Sequence, residues 1–423
     1  MLMLHSLGGA IGLMLIGVLL LGTWPAIWNK VEQRGRIPAH TFLDYATSYL
    51  VVAVVTALTF GQLGPDGDPP LNFLDQLRQP NGRAVAFAVA GGATLSVGDV
   101  AMQYTTALLG LSIGPPLLNA TTVVLGVVLT YFLDGGINRP ELVFPGMACA
   151  TLAIALGAAA HALSHRQQQQ DAATAAGAVA AGAAKHGPED SAHAVCGHEE
   201  KGGGGGGGPA AAVVCSSGRD VEQAAGPPAE PEAGRAAKKQ RRRAIQSNAK
   251  WHQGALVALL GGAIYSLFLP AFQIASTDAF RLLPPGTPPP SVWTTNFYFS
   301  SGFWVSSLAV NLVLLYIAPL GGRRSSVLGW LRDGDGRALS VLSGVLAAAG
   351  DLTQFIGGQA IGFAAAQLVM AYPLVGVIWG QLHFKEHRGP GRAATAARAL
   401  IAGQVVLYCA SIGLLAGSAK LRE

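Results

Sequence analysis

Residues 84–133 read AVAFAVAGGATLSVGDVAMQYTTALLGLSIGPPLLNATTVVLGVVLTYFL, fifty positions with one charge, Asp99. A helix that crosses a hydrocarbon core of about 30 Å uses about 20 apolar residues. The run is therefore two membrane crossings, joined near Leu109–Gly114. A second run, Ala338–Phe384, repeats the pattern over 47 residues, again with a single charge, Asp351. It too makes two crossings. Working outward, Gly8–Trp28, Tyr45–Leu63 and Leu142–Leu163 each fit one span before the first long polar segment. Gln253–Ala275, Val292–Ala318 and Ala399–Ala416 each fit one after it. The reading is ten spans. The first begins close to residue 1, but it is longer than the apolar core of a signal peptide and shows no small-residue cleavage site, so it reads as a retained span.

Composition agrees. Charged residues make up 12% of the 423-residue chain, and hydrophobic residues 51%. Of its 51 charged residues, 20 lie within residues 165–250. What remains is too poor in charge to cover a water-soluble surface, which excludes a soluble enzyme, a nucleic-acid binder or a secreted disulfide scaffold. Four cysteines, two of them inside spans, form no disulfide framework.

The two halves resemble each other. Ala10 with Pro25-Ala26 matches Ala255 with Pro270-Ala271, and Arg83-Ala84 matches Arg337-Ala338. Gly98-Asp99 matches Gly350-Asp351, Gly110 matches Gly362, and Asp134 matches Glu386. Five spans per copy is odd, so the second copy crosses in the opposite sense. That is an inverted 5+5 repeat, a design common among secondary transporters. The Lys/Arg bias sets the orientation. Connections after odd-numbered spans hold 22 Lys/Arg and the other side holds 6; without residues 165–250 the balance is 11 to 6. Both termini are expected outside and the central segment in the cytosol.

The expected domain plan is a first five-helix repeat over residues 1–164, a disordered cytosolic linker over 165–250, and a second repeat over 251–423. The linker carries Gln167–Gln170, Gly202–Gly208 and Gly226-Pro227-Pro228, a composition that buries no core. Its basic run, Lys238–Arg243, reads as a positive-inside anchor on anionic lipid, with a regulatory or targeting site as the alternative. The glycine run is followed by Pro209-Ala210 in place of the Lys and Ser/Thr of a phosphate loop, so nucleotide binding is not expected. His193, Cys196, His198 and Cys215 have the ligand types for zinc, but no metal site is expected in such a tract.

Asp99 and Asp351 stand alone in their runs at equivalent repeat positions. A carboxylate in a bilayer costs about 2.5–3.5 kcal/mol on insertion scales. Such a pair can load and release protons, or accept substrate N–H groups. The purely structural alternative is a carboxyl that hydrogen-bonds a neighbouring helix. Gln103, Gln354 and Gln359 share roughly the same helix faces. Their carboxamides both donate and accept, which suits ring systems with alternating N–H and C=O edges; the alternative is glue between helices. Trp24 is placed to stack on a planar ligand, or else to pack against lipid. Pro25 and Pro270 remove donors inside spans 1 and 6, leave a carbonyl free, and are expected to kink or break those helices. Gly114-Pro115-Pro116 is expected to interrupt span 4, with Asn119 just inside the break, and Tyr372-Pro373 to interrupt span 9. Broken helices in matching halves point at a binding site.

These residues resemble the plant ureide permeases. The likeness rests on Leu21–Ala26, Arg34-Gly35-Arg36, His40-Thr41 with Leu43-Asp44-Tyr45, and Tyr131–Asp134 with Ile137-Asn138-Arg139. In the second half it rests on Tyr265–Phe268, Pro270–Phe272, Phe297–Ser300, Gln354-Phe355 with Gly357–Ala360, and Tyr372–Val375. It covers nearly all the spans and fails in the central segment. The resemblance implies the ten-helix fold of the drug/metabolite transporter superfamily. It further implies proton-coupled import of allantoin and related oxo-heterocycles such as uracil and xanthine. The expectation is a plasma-membrane importer with no cofactor beyond the proton gradient. Its partners would be a small-molecule substrate and the lipid bilayer, with no nucleic acid; oligomeric state is not legible. The alternatives are a facilitator or exchanger for another solute, such as a sugar or nucleotide-sugar, and, further off, a membrane enzyme or a non-transporting sensor. An enzyme would want clustered ligands or a nucleophile, and His5, His161, His252 and His383 are scattered.

Overall fold

The structure is a computed structural model that describes residues 6–32, 34–63, 72–109, 113–185, 251–317, 324–382 and 392–421. All regular structure in these residues is helical, and ten helices are long and apolar enough to cross a membrane. They are α1 (Leu7–Glu32), α2 (Pro38–Thr59), α3 (Gly82–Leu109), α4 (Gly114–Leu133), α5 (Pro140–Lys185), α6 (Trp251–Thr277), α7 (Val292–Ile317), α8 (Arg337–Ile361), α9 (Phe363–Gly380) and α10 (Arg392–Ser418). Residues 1–165 and 249–423 make one compact unit, and residues 166–248 another.

Three expectations need correction. Helix α5 continues to Lys185, through Gln167–Gln170 and the alanine tract, where composition alone predicts disorder from residue 165 onward. Alanine and glutamine are good helix formers, so a helix already nucleated inside the membrane propagates through them. Residues 186–250, with the glycine run, the basic run and the His/Cys set, lie outside the described residues, as do Gly110 and Glu386. Pro115 and Pro116 open α4 and do not interrupt it; they occupy its first turn, where a missing N–H leaves no bond unmade. Pro25 sits inside an unbroken α1. Its counterpart Pro270 does accompany a break: residues 251–265 are helical, Ser266 and Leu267 form a turn, and the helix resumes at Phe268. The break lies at the position four residues before the proline, where its ring collides with the backbone carbonyl.

Span α9 is also broken. A short α-turn, Phe363–Ala366, passes into a 3₁₀ stretch, Gln367–Ala371, and regular helix resumes at Pro373. The hinge between α8 and α9 is Gly362, at φ 94° and ψ 139°, a conformation that a side chain would strain. Two residues beyond α4 hold it. Asp134 accepts the Phe363 N–H (2.6 Å) and Gln273 Nε2 (2.6 Å), and Asn138 Nδ2 donates to the Ile361 carbonyl (2.9 Å).

The helix pairs follow a pattern. Helix α1 packs along α8, and α6 along α3; α2 packs on α8, and α7 on α3. The α3–α7 seam is the tighter. A Cβ at Gly92 would land on the Phe299 carbonyl oxygen, and one at Gly302 on the Val89 carbonyl oxygen, so these two backbones touch. Aromatic rings fill the middle: Phe272 stacks on Phe355 at 3.8 Å, and Phe299 meets Phe355 edge-on at 5.1 Å. Large apolar residues such as Leu19, Phe132 and Val406 face outward, as they do where the solvent is lipid.

Gly92→Leu must push α3 off α7. We expect a loss of about 1–3 kcal/mol or more, the cost of overpacking a close interface. It would be read as a lower melting temperature of the detergent-purified protein, with Gly8→Leu, which meets no neighbour, as the neutral control.

Candidate functional site

Asp99 on α3 and Asp351 on α8 are both buried, each 7% exposed. They lie close enough to repel one another when both are ionised. Each carboxyl is met by a tyrosine. The Tyr49 hydroxyl, from α2, donates to Asp351 Oδ2 at 2.8 Å. The Tyr265 hydroxyl, from α6, is within hydrogen-bonding reach of Asp99, and its ring lies flat against Gly98, the neighbour of Asp99. Tyr45 on α2 and Tyr372 at the break in α9 are within electrostatic reach of both carboxyls. The Asn119 side chain reaches the Tyr372 hydroxyl. Trp24 packs against Tyr45 (centroids 5.6 Å apart) and Trp28 (5.8 Å). Gly22 gives the close approach of α1 to α9, since a Cβ there would meet the Tyr372 carbonyl at 2.5 Å.

The structure therefore gathers Asp99, Asp351, Asn119, Tyr372 and Trp24 into one cluster. It treats the glutamines differently. Gln354 is fully buried, donates to the Ala366 carbonyl of the broken span at 3.3 Å, and leaves its Oε1 unpartnered. Gln103 and Gln359 are partly exposed, and no hydrogen bond joins either to the cluster among the described residues. Three members were not anticipated from the residues: Tyr45, Tyr49 and Tyr265. The signal for two of them is present in the sequence. Tyr45 and Tyr49 are four apart on one face of a span, which aims both hydroxyls the same way.

Charge balance defines what the cluster can do. Among the described residues the buried basic side chains are Arg36 and His40, and neither belongs to it. Two carboxyls in a low-dielectric interior with no buried cation beside them among the described residues need protons or hydrogen-bond donors, and Tyr49 is one such donor to Asp351. Tyrosine hydroxyls, the Asn119 carboxamide and the Trp24 indole complete the cluster.

Arg36 and His40 belong to a second polar cluster, where the α1–α2 connection meets the α7–α8 connection. Arg36, 1% exposed at its side chain, pairs with Asp44 at 2.6 Å and with Asp333 at 3.2 Å, and donates to Ser340 Oγ at 2.7 Å. His40 bridges Asp333 (2.6 Å) and Ser325 (2.8 Å). Trp330 Nε1 and Arg337 Nε both donate to Asp44, at 2.9 and 3.3 Å, and Arg337 also holds the Trp330 carbonyl. Burial pushes the Asp333 carboxyl up, but hydrogen bonds from His40 and Arg36 and the Arg36 charge outweigh it, and the group is held below the usual carboxylate range. A group lowered in this way contributes stability above its ordinary pKa and loses it as pH falls through the lowered value. The clasp is thus fully charged on Asp333 at neutral pH.

Ten apolar helices folded around a buried cluster of carboxyls and tyrosines define an integral, multi-pass membrane protein of the permease type. The ureide permease model matches residues 41–418, and the chain belongs to that family. It is 37% identical to ureide permease 1 and 36% identical to ureide permease 4 of Arabidopsis thaliana, each over the full length of both chains. It is 34% identical to probable ureide permease A3 of Vigna unguiculata, over 92% of this chain and 98% of that one. These relatives are named as transporters, not enzymes.

Tyr49→Phe removes the donor and keeps the ring, which packs on Phe303 at 4.7 Å. A thermal-unfolding double-mutant cycle with Asp351→Asn should return a coupling of about 1–3 kcal/mol, as for a hydrogen bond to a charged or strongly polar group. Additive losses would mean that the two side chains do not act on each other.

Proposed function

We propose that the chain is an alternating-access importer of ureides and related oxo-heterocycles, of the allantoin, uracil and xanthine class, driven by protons. The observation that carries the reading is the carboxyl pair Asp99–Asp351, which lies inside the bundle, is met by tyrosines and has no buried cation beside it among the described residues. A carboxyl in that position exchanges a proton for access to water, which is what coupling requires. The names of the relatives supply the substrate class. A ureide presents N–H donors to the carboxyls and C=O acceptors to the tyrosines and Asn119, while its flat face suits Trp24.

Support for an inverted 5+5 repeat of the drug/metabolite type comes from the matching helix pairs, α1 on α8 with α6 on α3, and α2 on α8 with α7 on α3. The two breaks, at Ser266–Leu267 and Gln367–Tyr372, adjoin Tyr265 and Tyr372, which belong to the cluster. The Lys/Arg bias supports termini outside and a cytosolic central segment, in a plasma membrane across which import takes place.

The test is uptake of labelled allantoin and uracil into permease-deficient cells. Uptake should rise as external pH falls and collapse with a protonophore. Asp99→Asn and Asp351→Asn should each reduce it by at least about tenfold, equivalent to about 1.4 kcal/mol. Uptake that ignores pH, protonophore and both substitutions would leave a facilitator or exchanger in its place.

A further inference from the structure

We propose that the α2–α8 seam is the moving gate of this permease, latched at its end by the Arg36–Asp44–Asp333–His40–Arg337 clasp and joined to the buried carboxyl Asp351 through Tyr49. The proposal rests on the transporter reading above.

The two seams that flank the carboxyl pair both hold close glycine contacts, but their ends are fastened differently, one by neutral bonds and the other by ion pairs. Along α3–α7, backbone meets backbone at Gly92 and at Gly302, and Ser307 donates to Ser96 at 2.9 Å. The connection that precedes α3 is fastened to α7 by neutral bonds: Gln76 Oε1 accepts the Ser291 N–H (2.9 Å) and the Thr294 hydroxyl (2.5 Å). This seam is interlocked by glycine contacts and neutral bonds. Separating it would lose the close packing of two backbones.

Along α2–α8 there is one such backbone contact, at Gly344, and side-chain bonds and ion pairs supply further fastening. Gly344 takes the Tyr45 carbonyl and Ser48 against its open side, Tyr49 holds Asp351, and the remainder is the clasp. A buried ion network is weak evidence for stability, because desolvation offsets most of its attraction, and an apolar core of equal volume serves as well or better. Its particular property is that its members can be rehydrated together. Arg36 and Asp333 lie in connections, His40 and Arg337 in first turns and Asp44 one turn further on, with Asp333 and Arg337 already partly exposed, so a displacement of α8 that parts them admits water to the network. Opening there lets water take over the charged partners, whereas parting α3–α7 gives up two backbone contacts and neutral bonds.

The geometry also gives the gate a sensor. Asp351 lies on the same helix as Ser340 and Arg337, and Tyr49 on the same helix as His40 and Asp44. Two rigid helices are thus joined at the carboxyl and again at the clasp. A change of partner at Asp351, by proton or by ligand, is felt at the clasp without any intervening flexible segment.

The experiment places a single thiol in each seam of a chain whose four native cysteines are replaced by serine. Ser48→Cys reports on α2–α8 and Ser307→Cys on α3–α7. A membrane-impermeant maleimide is applied to sealed vesicles of both orientations. With the clasp intact the α2 thiol should be protected at rest and label faster when a pH gradient and allantoin are supplied. Asp333→Asn should accelerate its labelling about tenfold without substrate, the response to about 1.4 kcal/mol of lost closure. Ser340→Ala, which removes one hydrogen bond from Arg36 and no charge, should act in the same direction and less. The α7 thiol should stay protected throughout. Unchanged labelling of the α2 thiol in both clasp variants overturns the gate. Equal acceleration of the α2 and α7 thiols overturns it too, since that would mean a loosened fold. If the substrate reading is wrong, allantoin has no effect on any chain while the clasp variants still expose the α2 thiol.

Discussion

The constraint on which the rest of this molecule depends is the burial of two carboxyl groups in a membrane interior that offers them no basic side chain among the described residues. Each costs about 2.5–3.5 kcal/mol to place there on insertion scales. The surroundings are arranged to answer that cost. Tyr49 and Tyr265 donate or stand ready to donate, and Tyr45 and Tyr372 add further hydroxyls. Gly98 lets the Tyr265 ring lie against α3, and Gly22 lets α1 close on the broken span that carries Tyr372. Remove the carboxyls, and neither the tyrosines nor the glycines have an evident reason to be where they are.

Small residues set how close the helices come, and closeness decides which motions are cheap. At Gly92 and Gly302 two backbones are in contact, and the polar groups beside them, such as Ser96 and Ser307, are neutral and bonded to each other. At the opposite seam a network of charges does the holding. In a solvent without hydrogen-bond donors the first kind of contact is permanent, while the second survives only near the membrane boundary, where water can take over. Broken helices follow the same logic. The 3₁₀ stretch at Gln367–Ala371 is tolerable because it sits inside protein, against other spans, while at the Ser266–Leu267 turn Ser266 is buried and its N–H still bonds the Gly262 carbonyl.

Much of this was legible in the residues, and the limits have physical causes. The ten spans could be counted because hydrocarbon thickness translates directly into apolar length. Asp99 and Asp351 stood out because charge in such runs has to have a reason. Proline was less informative. Pro25 and Pro270 occupy matching places, yet α1 runs on through one and α6 breaks before the other. Pro115 and Pro116 looked like an interruption and turned out to be a beginning, since a proline in the first turn leaves no bond unmade. The long tail of α5 was hidden for a related reason: low complexity reads as disorder, but alanine and glutamine also extend a helix once it has started.

By itself the sequence determined that the chain lives in a membrane, how many times it can cross, and where isolated carboxyls interrupt the apolar runs. Those follow from length and hydropathy, which are properties of single segments. Only the tertiary structure decided which tyrosine faces which carboxyl. It also decided that Gln354 turns to the backbone of α9, and that Arg36, remote in sequence from Asp333 and Arg337, closes one end of the bundle with them. Those facts depend on which helix faces meet, and in lipid that choice is made by shape and by hydrogen bonds between helices. Hydrophobicity, which every span shares, cannot make it.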